Sequence, residues 1–321
     1  MIKNAIIGGV GFVGINIATE LAKQSKVIVI SRGSSIKKRP NITKKLREIG
    51  SELVIVDKID YQSLKGIDAD NFIYTIGKLS GDLKTMMDAH VYILNDVIKI
   101  SKETSSRIIY ISSIASIGEA KFEKGSIIYE EENHLDSNLF SQKTPYEISK
   151  AEGERLILKN KKELNNKYVI LRPSTVFGPY AYEPQWKAVY SLSKRNIKIK
   201  IGGENLVYSK DLARIVKLST EGNFDGKWIY VNWPQKVDIE KVSSYLCNYF
   251  KKRRCLTIPL KGLIKIGNYI SLPSSPIKMI YRSIKSSYIY KSKYLDQFNF
   301  TDFDIAFKDF INWAENNGFN P

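Results

Sequence analysis

Cysteine and histidine are nearly missing from this chain. Only Cys247 and Cys255, and only His90 and His134, occur in 321 residues. That is too few, and the cysteines stand too far apart, for a thiolate metal cluster, a redox Cys-x-x-Cys pair or a histidine-built centre, so no metal is expected. Proton-transfer chemistry, if there is any, must come from other side chains. Long apolar runs are missing too: no stretch has the length that crosses a bilayer and the start carries no signal-peptide core, so a cytoplasmic protein is expected. With 43% hydrophobic residues, 20 glycines and only 10 prolines, the chain can bury a sizeable core in one or two domains. Disorder and a small disulfide scaffold are excluded as descriptions of the whole.

Acidic residues are scarce in one place. The formal net charge is +17, and between Glu240 and Asp296 there is no Asp or Glu but twelve Lys or Arg. Such a stretch attracts polyanions. Residues 241–295 include an amphipathic run, IPLKGLIKIGNYISL, of the kind that can lie on an anionic membrane, so peripheral membrane contact is one expectation beside a plain solvated face. No nucleic-acid-binding module is recognisable, and nucleic acid is not expected as a partner.

What is plentiful is the short β-branched run. Residues 1–8, 26–31, 52–57, 71–76, 107–112 and 167–172 read as strands that are apolar throughout, the pattern of a parallel sheet covered on both faces. Helical spacing appears at 12–22, 41–49, 81–102 and 145–163, the last with Pro145 in its first turn. The expectation is an α/β fold: a Rossmann-like doubly wound parallel sheet over residues 1–180, with a smaller mixed C-terminal substrate domain over most of 181–321. Residues 227–231 read as one more strand, so the chain is expected to rejoin the first domain at about 205–235.

The first strand runs into GGVGFVG. Gly8, Gly11 and Gly14 stand where a backbone must turn tightly and approach a pyrophosphate, and the helix opening at Phe12 and Val13 offers free amides to the phosphates. The second strand ends at Ser31 and Arg32, without the carboxylate that commonly holds the adenosine ribose. A guanidinium there pairs with a 2′-phosphate, so NADP is favoured over NAD as cofactor.

Tyr146 and Lys150 form a Tyr-x-x-x-Lys pair that shares one helix face. A phenol titrating near 10 is a poor acid or base at neutral pH, and an adjacent ammonium favours its ionised form. Ser113 stands just beyond the fifth strand, at the sheet edge where α/β folds bind ligands.

These segments together resemble the extended short-chain dehydrogenase/reductases, the NAD-dependent epimerase/dehydratase family. GGVGFVG, ELVIVDKID, RIIYISSIASIG, PYEISK, LRPSTVFGPY and NLVYSKDLARI follow the family's order over roughly residues 1–220. The resemblance implies Ser113 as the hydroxyl that binds the reacting oxygen, Tyr146 as general acid/base, and Lys150 as ribose ligand and tuner of Tyr146. It implies Asp57, with Lys58 beside it, near the adenine and Pro173 against the nicotinamide amide. Thr175, Trp186 and Arg282 become candidate substrate residues: Thr175 where many members have Asn, Trp186 as a lid or base-stacking residue, and Arg282 for a diphosphate. His90 replaces a usual Asn and Ile117 a common Tyr.

Sugar-nucleotide 4,6-dehydratases carry Thr-Asp-Glu where this chain has Ser113-Ile114-Ala115, so dehydration is disfavoured. What the resemblance implies is a sugar-nucleotide epimerase or keto-sugar reductase acting on a nucleotide-sugar-like substrate, and a homodimer. A 3β-hydroxysteroid-dehydrogenase-like oxidoreductase and a non-catalytic dinucleotide-binding module are the alternatives.

Overall fold

Each short β-branched run becomes a strand of one parallel sheet. The computed structural model describes residues 1–120, 126–130, 140–200, 205–250, 255–259 and 289–319. In chain order the strands are β1 (Lys3–Ile7), β2 (Lys26–Arg32), β3 (Glu52–Val56), β4 (Asn71–Tyr74), β5 (Arg107–Ile111) and β6 (Tyr168–Pro173). Two short strands follow, β7 (Thr175–Phe177) and β8 (Leu206–Tyr208), which pair with each other, and then β9 (Lys227–Val231). The seven-stranded sheet runs β9-β6-β5-β4-β1-β2-β3, every pair parallel. The chain winds one way from β1 to β3 and the other way from β4 outward. A crevice therefore opens at the C-terminal ends of β1 and β4, the place where this topology binds ligands.

The main helices are α1 (Phe12–Leu21), α2 (Pro40–Glu48), α3 (Ile93–Thr104), α4 (Pro145–Lys159), α5 (Pro184–Lys194), α6 (Ser209–Thr220), α7 (Ile239–Tyr249) and α8 (Phe303–Asn317). Alternate strand residues feed opposite faces of the sheet. Ile6, Val29 and Ile109 pack with Ile17 and Leu21 of α1, Leu46 of α2 and Ile215 of α6. Ile7, Ile28 and Ile108 pack with Val97 and Ile98 of α3 and Ile157 of α4. Burial on both faces is why the strands are apolar throughout. The doubly wound Rossmann-like class expected from the sequence is the observed one.

A second core is made of rings. Phe177, Trp186, Tyr190, Tyr208, Trp233, Phe307 and Phe310 close over one another beside β7, β8, α5, α7 and α8. Phe177 lies at its centre, 5.1 Å between ring centroids from both Trp233 and Phe307. In the same region Ile197–Lys200 pairs in parallel with Leu256–Pro259, and a disulfide joins Cys247 of α7 to Cys255 with 6.5 Å between their Cα atoms. Sequence spacing excludes a Cys-x-x-Cys motif here, but the fold brings the two thiols together.

Two helices differ from their sequence reading. The run expected at 81–102 is divided: Leu83–Met87 is α-helical, Asp88–Tyr92 is a π turn, and α3 begins at Ile93. A π turn inserts an extra residue and redirects the side chains that follow. The run expected at 145–163 ends at Lys159, and Asn165 and Asn166, both at positive φ, turn the chain into β6. Among the described residues no helix is long and apolar enough to cross a membrane. Arg282, His134 and most of the basic 241–295 stretch lie outside the described residues.

Candidate functional site

The glycine turn joins β1 to α1. Gly8 has φ +87°, and a side chain on it would run into Ile76 beyond β4. A Cβ on Gly14 would lie 2.5 Å from the Cα of Gly9, so the helix can sit this close to the turn only as glycine. Gly11 precedes α1 and has no side chain to cap it. The first-turn amides of Phe12 and Val13 are therefore left without a side-chain cap, as an anion site requires. Arg39, at the start of α2, donates from Nη1 to the carbonyl oxygen of Val10 at 3.0 Å, placing a guanidinium on the rim of the turn. Sequence reasoning passed over Arg39, since it stands seven residues beyond the end of β2. A dinucleotide fits this cradle: glycines where a Cβ would clash, uncapped amides at a helix start, and a cation on the rim.

On the adenosine side, Ser31 is buried while Arg32 is exposed at the end of β2. In the β2–β3 register Arg32 stands opposite Val56, so Asp57 and Lys58 continue past it at the same sheet edge. Both are exposed, and the Lys58 ammonium lies 3.6 Å from the carboxylate of Asp60.

The acid/base side rests on α4. Its start is fixed by a reciprocal cap: the Thr144 hydroxyl accepts the Glu147 N–H at 3.2 Å, the Glu147 carboxylate accepts the Thr144 N–H at 2.9 Å, and Pro145 occupies the first turn. Tyr146 follows at once, partly exposed. Lys150 is buried, and its Nζ donates to the Ile111 carbonyl at 2.8 Å, at the end of β5 and two residues before Ser113. Burial pushes the Lys150 ammonium down to about 7, against a weaker opposing pull from Glu154. Ser113 starts a 3-10 turn, Ile114–Ile117, accepts the Ala115 N–H at 3.2 Å and stays partly exposed; α4 packs against this turn. Ser113, Tyr146 and Lys150 thus come to one end of the sheet. Pro173, buried at the end of β6, stands at the same edge, and Thr175 follows, partly exposed, as the first residue of β7.

His90 has a clear structural part that its position in the sequence did not reveal. It is buried in the π turn, its Nε2 accepts the Lys78 N–H at 3.2 Å, and its Nδ1 lies 2.8 Å from the Ser149 hydroxyl. With Nε2 accepting, the proton is on Nδ1 and is donated to Ser149, whose hydroxyl in turn donates to the Tyr146 carbonyl at 3.1 Å. Burial, with the Lys150 charge adding to it, pushes His90 down to about 2, so the ring is neutral. It acts as a clamp between the loop after β4 and the first turn of α4, with its ring edge-on to that of Tyr146 at 5.7 Å. The sequence did hold a signal in Gly153, a glycine inside a helix, because a Cβ there would lie 2.8 Å from the His90 carbonyl oxygen.

Trp186 is a correction. It is buried in the ring core and its indole N–H is donated to the Val176 carbonyl at 3.2 Å, so it is a wall of the lobe and neither lid nor stacking platform. The reading failed because an aromatic residue after a substrate loop looks the same in sequence whether it faces ligand or core. Ile117 is likewise fully buried.

The model of the NAD dependent epimerase/dehydratase family matches residues 5–231. No curated protein matches the chain in sequence. Among solved structures, that of gox2253 superposes with a TM-score of 0.76 at 18% identity, covering 99% of each chain. UDP-glucuronic acid 4-epimerase from Bacillus cereus, in complex with NAD, superposes at 0.71 with 17% identity over 100% of this chain and 99% of that one. dTDP-glucose 4,6-dehydratase from Bacillus anthracis str. Ames, also with NAD, gives 0.68 and 14% over 99% and 97%. At these identities the likeness is one of fold, and it does not separate epimerase from dehydratase.

Proposed function

This chain belongs to the NAD dependent epimerase/dehydratase family, and from that premise we propose that it is a sugar-nucleotide epimerase or keto-sugar reductase. The observation that carries the reading is the arrangement at the C-terminal sheet edge, where a buried Lys150 lies one helical turn from Tyr146 and is tied to the strand end that leads into Ser113.

A bound nicotinamide dinucleotide would supply hydride transfer at a secondary alcohol or the matching ketone. Gly8, Gly11, Phe12, Val13 and Gly14 would hold its diphosphate, Ser31, Arg32, Asp57 and Lys58 its adenosine end, and Pro173 and Lys150 its nicotinamide side. Ser113 donates a hydrogen bond to the substrate oxygen. Tyr146 takes the proton from that oxygen, or returns it, at its phenol oxygen. Lys150, as an ammonium in a buried place, favours the phenolate and brings Tyr146 into working range. Thr175, beside this edge, is the substrate contact we retain, and Arg282 from the basic stretch is proposed for the diphosphate.

No carboxylate stands in Ser113-Ile114-Ala115. Elimination of water needs an acid and a base beside the redox step, so we propose epimerisation or reduction and not dehydration. The cations Arg32 and Arg39, with no carboxylate at the end of β2, favour NADP over NAD in this proposal and with it the reductase branch. A homodimer in the cytoplasm is part of the same reading.

The test has two arms. Mass spectrometry of material bound to purified protein identifies dinucleotide and sugar nucleotide together. Tyr146→Phe, assayed on that sugar nucleotide, lowers turnover by about 100-fold or more while cofactor binding stays near wild type. Wild-type protein that binds the dinucleotide but turns over no nucleotide sugar or steroid would instead favour a non-catalytic dinucleotide-binding module.

A further inference from the structure

Two turns beyond Tyr146 and one beyond Lys150 on α4 stands Glu154, completely buried. Its carboxylate accepts from two residues of the body. The Ser112 hydroxyl donates to Oε1, and Arg172 donates from Nε to Oε1 at 3.1 Å and from Nη2 to Oε2. Ser112 is the residue before Ser113, and its own N–H is donated to the Leu171 carbonyl at 2.8 Å. Arg172 is the residue before Pro173, and its guanidinium lies over the Tyr230 ring on β9, 5.6 Å from the centroid. One carboxylate thus touches a direct neighbour of two site residues and stands on the helix of the other two.

We propose that Glu154 is a positioning residue of this site, fixing through Ser112 and Arg172 the strand ends that carry Ser113 and Pro173 and standing one helical turn from Lys150 as its counter-charge. The proposal rests on the Tyr146–Lys150 reading above. A buried ion pair adds little net stability, because desolvation of both charges offsets their attraction, and well-packed apolar residues usually replace it without loss. Packing alone therefore gives no reason for a charge here. Electrostatics does: Lys150 is buried with its Nζ on the Ile111 carbonyl, and Glu154 is the negative group that opposes the loss of its proton. Without that charge the Lys150 ammonium is disfavoured further, and the phenol of Tyr146 has a weaker neighbouring cation.

The experiment reads Tyr146 directly. Full-length protein labelled with 13Cζ-tyrosine is titrated by NMR with and without NADP+, the Tyr146 resonance being identified by its loss in Tyr146→Phe. In wild type Tyr146 titrates below the ordinary value near 10. In Glu154→Gln the titration moves up by about one pH unit or more. Because Glu154→Gln leaves the Arg172 cation buried without its partner and can fail to fold, Glu154→Leu/Arg172→Met is measured beside it; apolar replacement of the pair preserves thermal stability, and here too the Tyr146 titration moves up. A folded double variant whose Tyr146 titrates as in wild type overturns the proposal and leaves the Tyr146–Lys150 reading standing. A wild-type Tyr146 that titrates like a free phenol overturns both.

Discussion

The sheet body and the ring-filled lobe beside it solve the burial problem with different side chains. The body packs Ile, Val and Leu from alternate strand positions against two helix layers, and one of its buried carboxylates, Glu154, is fully engaged by Arg172 and Ser112. Among the described residues the lobe has only short strands, and large rings centred on Phe177 fill the space between them. Its charge is also less well matched. Glu183, at the start of α5, has a buried Oε2 without a hydrogen-bond partner, and burial lifts this carboxyl to about 7 despite the nearby Arg39. A long parallel strand presents regularly spaced side chains that branched aliphatics fit, whereas a short irregular assembly needs residues that bury much area each. The body holds the reacting groups in place; the lobe buries a carboxyl oxygen without a partner.

Three measurements press on that contrast. The largest effect is expected from Phe177→Ala, which empties the centre of the ring core and costs about 3–5 kcal/mol in urea unfolding. Leu171→Ala, in the middle of the sheet, costs about 2–5 kcal/mol by the same measure. The two variants differ in where the damage goes: Phe177→Ala leaves dinucleotide affinity close to wild type, because the glycine turn belongs to the body. Equal loss of dinucleotide affinity in both variants would erase the division between body and lobe.

The second measurement uses pH. Glu183 titrates at about 7 when folded against 4.5 ordinarily, so the folded form holds its proton where the unfolded form has lost it. Stability contributed by this group therefore falls as pH rises from about 4.5 to about 7 and is constant above. Glu183→Gln should raise stability above pH 7 by at most about 3 kcal/mol, and the gain should vanish below about pH 4.5. A gain that did not depend on pH would mean that packing, and not the carboxylate, is responsible. The smallest effect concerns the adenosine end of the crevice. Arg32→Ala is expected to weaken NADP(H) binding by about 1–3 kcal/mol by calorimetry and NAD(H) little, since only the former offers a phosphate to the guanidinium. Equal losses for both cofactors would remove the basis for the NADP preference.

Much of the body was legible in the sequence because its signals are local. Apolar runs such as KVIVIS and RIIYIS become strands where they stand, and GGVGFVG makes its turn with the residues beside it. Thr144 through Glu147 carry the start of α4 in four residues, which is why Tyr146 and Lys150 could be placed on one helix face. The lobe was not legible in the same way, since Phe177 meets Phe307 across 130 positions and nothing near either residue announces the other. Trp186 was misread for that reason. The part played by His90, noted only as a replacement, and by Glu154 was not legible because it lies in partners distant in the chain, Lys78 and Ser149 for one, Ser112 and Arg172 for the other.

By itself the sequence determined the class of fold, the glycine turn and the Tyr-x-x-x-Lys helix, all set by spacing within one element or between neighbours. Only the tertiary structure decided the strand order, the pairing of Cys247 with Cys255, the assignment of Trp186 to a core, and the gathering of Ser112, Glu154 and Arg172 into one buried group. The physical reason is the same for each. Burial and charge pairing depend on which atoms meet, and atoms far apart in the chain meet only when the whole sheet and its helices have closed around them.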